Sequence, residues 1–183
     1  MKKNILIFLS LFFTISTIFA QNIDLKTPPS FQFENILTQP IQTYQAVLQQ
    51  DIASLLAEDM ERNRDGQPMR IAVGIEVHLE LNNTTAPLTR LASGEQIRRQ
   101  TINSPGAYGL ILTFAELFIP EGGKLFVYTA NHKQIVVFTH ETNPSGGAFA
   151  TTILRQDNVI LEYVESTVSE ESARILVLCI VLR

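Results

Sequence analysis

An antiparallel β-sandwich, jelly-roll-like and with one N-terminal helix, is the fold class the sequence predicts, and three observations predict it. From Ile71 to Leu81, Ile71, Val73, Ile75, Val77, Leu79 and Leu81 alternate with Ala72, Gly74, Glu76, His78 and Glu80. That is the period of two expected of a sheet covered on one side. The stretch from Ser104 to Thr129 holds two more strands joined by the turn Pro120-Glu121-Gly122-Gly123, where proline fixes φ and glycine tolerates positive φ. Turn clusters recur roughly every 8 to 12 residues, too closely for crossover helices and close to the spacing of a sandwich or barrel.

The elements follow in order. Lys2 and Lys3, an apolar run from Ile5 to Phe19 and Ala20 before Gln21 have the layout of a secretory signal over residues 1–20. The run is interrupted by Ser10, Thr14, Ser16 and Thr17 and falls short of the about 20 apolar residues of a membrane anchor, so no stable span is expected after cleavage near Ala20 and the product is expected to be secreted, extracellular or periplasmic. The remaining 163 residues (183 minus 20) carry a formal charge of −6 (12 minus 18), which offers no basic stripe for nucleic acid. No stretch reads as an inter-domain linker, and one domain is expected.

Residues 21–40 are polar with Pro28 and Pro29 and read as an extended lead-in with little core potential. Within the domain, 41–183, Tyr44, Val47, Leu48, Ile52, Leu55, Leu56 and Met60 fall at helical spacing, predicting an amphipathic helix ended by Asp65-Gly66 and Pro68. After the 71–81 strand come short segments at Leu88–Leu91 and Gln96–Asn103. The strand before Pro120 places Leu110, Leu112 and Phe114 on one face and Ile111, Thr113 and Ala115 on the other; Leu125 to Tyr128 resume the pattern after the turn. Gln134–His140, Ala148–Leu154 and Val159–Glu165 read as further strands, and Ile175–Leu182 as a buried one carrying Cys179. As the single cysteine, Cys179 closes no internal disulfide and reads as a small buried hydrophobe.

Chemistry is sparse. A trypsin-like triad needs His, Asp and Ser in that order with a glycine-rich loop at the serine. No Asp lies between His78 and Ser145, so Ser145-Gly146-Gly147 completes no such triad and reads as a hairpin turn; the remaining orders run through Asp157 to Ser166, Ser169 or Ser172, in a segment without glycine. Glu76, His78 and Glu80 share one strand face in a spacing that suits a metal, but no fourth ligand is indicated, and a solvated face accounts for them. His132 and His140 read as loop residues. Glu58 and Asp59, about 100° apart on the helix, are either a solvated helix end balanced by Arg62 and Arg64 or a contact to an attached domain. Arg98 and Arg99 take opposite faces of a strand, which reads as edge protection or as a contact to an acidic partner. No catalytic, cofactor-binding or metal-ligating residue is predicted.

Ile102, Ser104 and Ala107, then Ile119, Pro120, Gly122, Leu125, Phe126 and Tyr128, then Phe138, Thr139 and Asn143, and last Ile160, Glu162 and Tyr163 together resemble the non-catalytic N-terminal region of secreted bacterial trypsin-like serine endopeptidases of the lysyl endopeptidase type. Pro28 to Phe31, Glu58-Asp59 and Pro68 with Arg70 extend the likeness over most of the mature chain; Ile97-Arg98-Arg99 stand where that family usually has a tryptophan. The resemblance implies a pro- or accessory domain whose partner is the protease domain of the same or a related gene product, here present as a fragment without it. The rival expectation is a free-standing exported β-sandwich binding or adhesion module, which needs no catalytic residues either.

Overall fold

In the computed structural model, residues 27–48, 50–68 and 70–182 are described, with side chains through Cys179; the predicted signal lies outside them. Ten strands form two sheets. Sheet A takes β1 (Thr43–Gln45), β4 (Gln96–Asn103), β9 (Asn158–Val164), β6 (Lys124–Thr129) and β7 (Ile135–Thr139) in that spatial order, with β3 (Leu88–Arg90) on the same edge of β4 as β1. Sheet B takes β2 (Ala72–Glu80), β10 (Arg174–Leu182), β5 (Gly109–Phe118) and β8 (Phe149–Ala150).

The pairing has a simple logic. The β6–β7 hairpin is the tip of a long antiparallel ribbon in which β5 pairs β8, β4 pairs β9 and β2 pairs β10. Rolling that ribbon over adds the β6–β9 and β5–β10 seams. This is the jelly-roll sandwich, as predicted. The one parallel pair, β1 with β4, lies at the edge of sheet A.

Alternation decides what enters the space between the sheets. Leu110, Leu112, Phe114, Val77, Leu79, Val177 and Cys179 of sheet B meet Ile102, Leu125, Val127, Phe138, Val159 and Leu161 of sheet A, all 3% exposed or less. Burial of about 1.5 to 3 kcal/mol per large apolar side chain makes this layer the main source of stability. The alternative faces of β5 and β10 are half-buried or exposed, as at Ile111, Thr113, Ala115, Leu176 and Leu178. Cys179 is free and buried, and desolvation pushes its thiol up to about 11, so it serves as packing.

The β5–β6 turn shows why its glycines are required. Gly122 has φ +81°, and a Cβ there would stand 2.6 Å from Cγ2 of Val168. At the β4–β5 turn, Ser104 is buried; its N–H donates to the Asp157 carbonyl at 2.8 Å, and its carbonyl accepts from the Ala107 N–H at 3.1 Å. These motif positions hold the roll together.

Two expectations need correction. The helix predicted over Tyr44–Met60 is α2 (Ile52–Arg64), and Tyr44 instead pairs in β1. Asp51 sets the start: its carboxylate accepts from the Ser54 N–H at 3.0 Å, a contact that also holds its carboxyl below the usual range. The apolar positions of α2 do not all face the core, for Leu55 is 2% exposed while Ile52, Leu56 and Met60 are 62%, 51% and 76% exposed. The second correction concerns the lead-in. Residues 27–37 form a strap, a 3₁₀ turn (Pro29–Gln32) followed by the one-turn helix α1 (Glu34–Leu37), and Pro29, Ser30 and Ile36 are buried. The strap lies on the outer face of sheet A, where Ile36, Leu91, Ile97, Phe126, Tyr128 and Val164 form a second apolar cluster with Phe31 and Phe33 against it.

Candidate functional site

Register places the polar centre of that outer face. Arg99 of β4, Glu162 of β9 and Phe126 of β6 are neighbours across the ladders, with Tyr128 two residues along β6. All four side chains point away from the sandwich interior, because position parity on a strand fixes the face. In the open they would be wet; under the strap Glu162 is 0% and Arg99 7% exposed.

Each buried charge meets the strap. Glu162 Oε1 accepts from the Ser30 N–H at 3.0 Å, and Oε2 accepts from Ser30 Oγ at 2.5 Å and from the Tyr128 hydroxyl at 3.0 Å. Arg99 Nη2 donates to the Ile36 carbonyl at 2.7 Å, satisfying a terminal carbonyl of α1. The strap is thus clamped at both ends by an Arg and a Glu that sit side by side in the sheet. Phe31 completes the fit, its ring edge-on to Tyr128 at 5.2 Å and stacked on His132 at 4.2 Å.

Burial dominates the electrostatics. Desolvation raises the Glu162 carboxyl above its ordinary range, opposed by the two Ser30 hydrogen bonds, the Tyr128 hydroxyl and the field of Arg99. Desolvation, then the charge of Glu162, raises the Tyr128 phenol as well. Two of the three donors on that carboxylate come from one strap residue, Ser30, so the arrangement holds a hydroxyl-bearing peptide segment.

The remaining residues singled out in the sequence fall elsewhere. Glu76, His78 and Glu80 are exposed on the outer face of sheet B, and among the described residues no group of three or more His, Cys, Asp or Glu is placed to hold a metal ion. His140 Nδ1 lies 3.2 Å from the Ile119 carbonyl, and Asn143-Pro144-Ser145-Gly146-Gly147 is a turn in which Gly146 and Gly147 have positive φ. Glu58 and Asp59 bind Arg70 at 2.6 and 3.4 Å, pinning the middle of α2 to the segment that leads into β2. Arg98 and Arg99 are not on an edge strand, since β4 is paired on both sides: Arg98 points inward to Glu165 at 2.7 Å and Asn83 at 2.6 Å, and Arg99 lies under the strap.

Sequence reasoning did not single out the Ser30–Glu162 pair as a contact. The residues lie 132 positions apart, and the one local sign was an acid inside the apolar run Val159–Val164.

A second surface stands open. Ile52, Leu56 and Met60 are spaced four apart and form one stripe along α2, with Val47 53% exposed in the segment leading into it. Among the described residues no helix is long and apolar enough to cross a membrane. No family model matches the chain.

Proposed function

We propose that this chain is the non-catalytic N-terminal pro- or accessory domain of an exported serine endopeptidase of the lysyl endopeptidase type, acting by docking on the catalytic domain. The observation that carries the reading is the open stripe of Ile52, Leu56 and Met60, which the domain's own core leaves uncovered. Contiguous exposed apolar surface of this kind marks a protein contact. The likeness to the protease family supplies the partner. The rival sugar-binding or adhesion module asks for a platform of several exposed aromatics, whereas Phe114, Phe126, Tyr128, Phe138 and Tyr163 are all 3% exposed or less and Tyr108, 80% exposed, is the one aromatic among the strongly exposed large apolar side chains of the described residues.

The test is titration of the full chain against the catalytic domain of a lysine-specific trypsin-like serine endopeptidase, reading both esterase inhibition and the yield of refolded enzyme. Wild type is expected to change one of the two saturably, and Leu56→Asp to weaken the effect at least about tenfold, the loss of more than about 1.4 kcal/mol at a contact hot spot. Neither effect at micromolar chain, or an effect indifferent to Leu56→Asp and Met60→Asp, removes the proposal.

A further inference from the structure

The strap is held as a peptide ligand is held. Its backbone hydrogen bonds close within itself, Phe31 N–H to Pro28 O, Phe33 N–H to Ser30 O and Ile36 N–H to Phe33 O, so it is a preformed unit and adds no strand to sheet A. Recognition comes from three features of the face beneath: a carboxylate that reads both the N–H and the hydroxyl of one residue, an aromatic slot for the next, and a guanidinium on the carbonyl of Ile36. Together these select a serine followed by an aromatic residue, with proline ahead to set the extended entry.

A short hinge joins that unit to the body. Thr38, Gln39 and Pro40 are exposed, and firm contact resumes at Gln42, whose carbonyl accepts from the Thr101 N–H at 2.9 Å and Gln100 Nε2 at 2.7 Å. We propose that the outer face of sheet A is a peptide-binding groove for a Pro-Ser-aromatic segment, filled in cis by residues 28–36 and able to take the same residues from a second copy of this chain, which yields a strap-exchanged dimer. A second copy is the partner assigned because residues 28–36 are the segment shown to satisfy Glu162 and Arg99 at once and to pack on Tyr128. Exchange remakes each of those contacts between chains; what it alters is the conformation of the hinge, which makes it a low-cost route to a dimer.

Hinge length is therefore the control. Deleting Gln39 and Pro40 from the full chain shortens the reach by roughly 7 Å, at about 3.3 to 3.6 Å per residue, and should prevent the strap from folding back on its own sheet. The expected result in size-exclusion chromatography with light scattering is a dimer that returns to monomer on adding Glu162→Ala; a folded monomer at high micromolar concentration overturns the exchange. A second measurement stands if the deletion variant fails to fold. A fluorescent peptide of residues 27–37 is titrated into the full chain carrying Ser30→Ala and Phe31→Ala, which weaken the resident strap. This variant should bind at least about tenfold more tightly than wild type, whose own strap competes, and the peptide with alanine in place of its serine should lose that binding. A folded variant with no affinity for the peptide sinks the groove itself. Neither assay contains a protease, so failure here and failure of the docking reading are separate outcomes.

Discussion

The two outer faces of the sandwich carry polar side chains on the same period of two, yet they have opposite fates. On sheet B the outer positions of β2, Gly74, Glu76, His78 and Glu80, are exposed. On sheet A the outer positions Arg99 of β4 and Glu162 of β9 are buried beneath the strap. Parity along a strand says which face a residue takes; whether that face is wet depends on what else the chain lays over it. A charge is cheap on the first face and costly on the second unless each partner is in place.

The sharpest way to break this contrast is to remove one acid from each face. Glu162→Ala leaves the Ser30 N–H and hydroxyl and the Tyr128 hydroxyl without their acceptor beside a buried Arg99, and a loss of about 3 to 5 kcal/mol in urea denaturation is expected. Glu76→Ala should change stability by no more than about 0.5 kcal/mol, because its side chain is exposed. Equal losses for the two would mean that the strap does not seal sheet A.

Isoleucines give the next comparison. Ile36, 5% exposed in the strap, and Ile52, 62% exposed on α2, are the same residue in two short N-terminal elements. Truncation to alanine is expected to cost about 2 to 4 kcal/mol at Ile36 and close to nothing at Ile52. A stability loss at Ile52 comparable to that at Ile36 would show that the α2 stripe is packed within the monomer and would withdraw it as a docking surface.

The same comparison explains how much of the molecule was legible. Strands with one wet face announced themselves: β2 alternates strictly, and the prediction for β5 placed Leu110, Leu112 and Phe114 inward, where they are. β6 (Leu125 to Tyr128), read as one more alternating strand, and β9 (Val159 to Val164) are near-continuous apolar runs, the pattern of strands covered on both faces, which that reading passed over. The cover comes from a segment that looks like a polar leader, because a strap of 11 residues (27 to 37) needs few apolar anchors and two prolines suit its tight path. Helix boundaries were harder. Tyr44 and Val47 fit a helical period by accident of spacing, while Asp51, the residue that caps α2, carries no hydrophobic signal. The clamp of Ser30 by Glu162 is a contact between distant segments, which periodicity does not encode.

Acid and base sharpen the contrast further. Because burial raises the Glu162 carboxyl in the folded chain, protonation favours the folded state: the contribution of this group is fully present below the unfolded carboxyl value of about 4.3 and is lost as pH rises through the higher folded one. Relative to Glu162→Gln, which carries no charge at any pH, wild type should lose melting temperature as pH is raised from about 4 to 8. The opposite slope, wild type gaining on the glutamine variant toward neutral pH, would mean that the Ser30, Tyr128 and Arg99 interactions outweigh desolvation. Glu76→Gln, on the open face, should leave the slope unchanged.

The smallest effect belongs to the face that looks most like chemistry in the sequence. Glu76, His78 and Glu80 present three ligand-type side chains on one strand, and a bound zinc ion would stabilise the fold by mass action, about 2.7 kcal/mol at a hundredfold excess over its dissociation constant. The described residues hold no such group of three placed around one ion, since alternate positions on an exposed strand point the same way without converging. Adding zinc at tens of micromolar should therefore leave the melting temperature of the chain where it was, and His78→Ala should shift stability by no more than about 0.5 kcal/mol. A saturable rise in melting temperature with zinc that His78→Ala abolishes would reverse this reading and make the wet face of sheet B, rather than the strap of sheet A, the place where the molecule spends its charged residues on function.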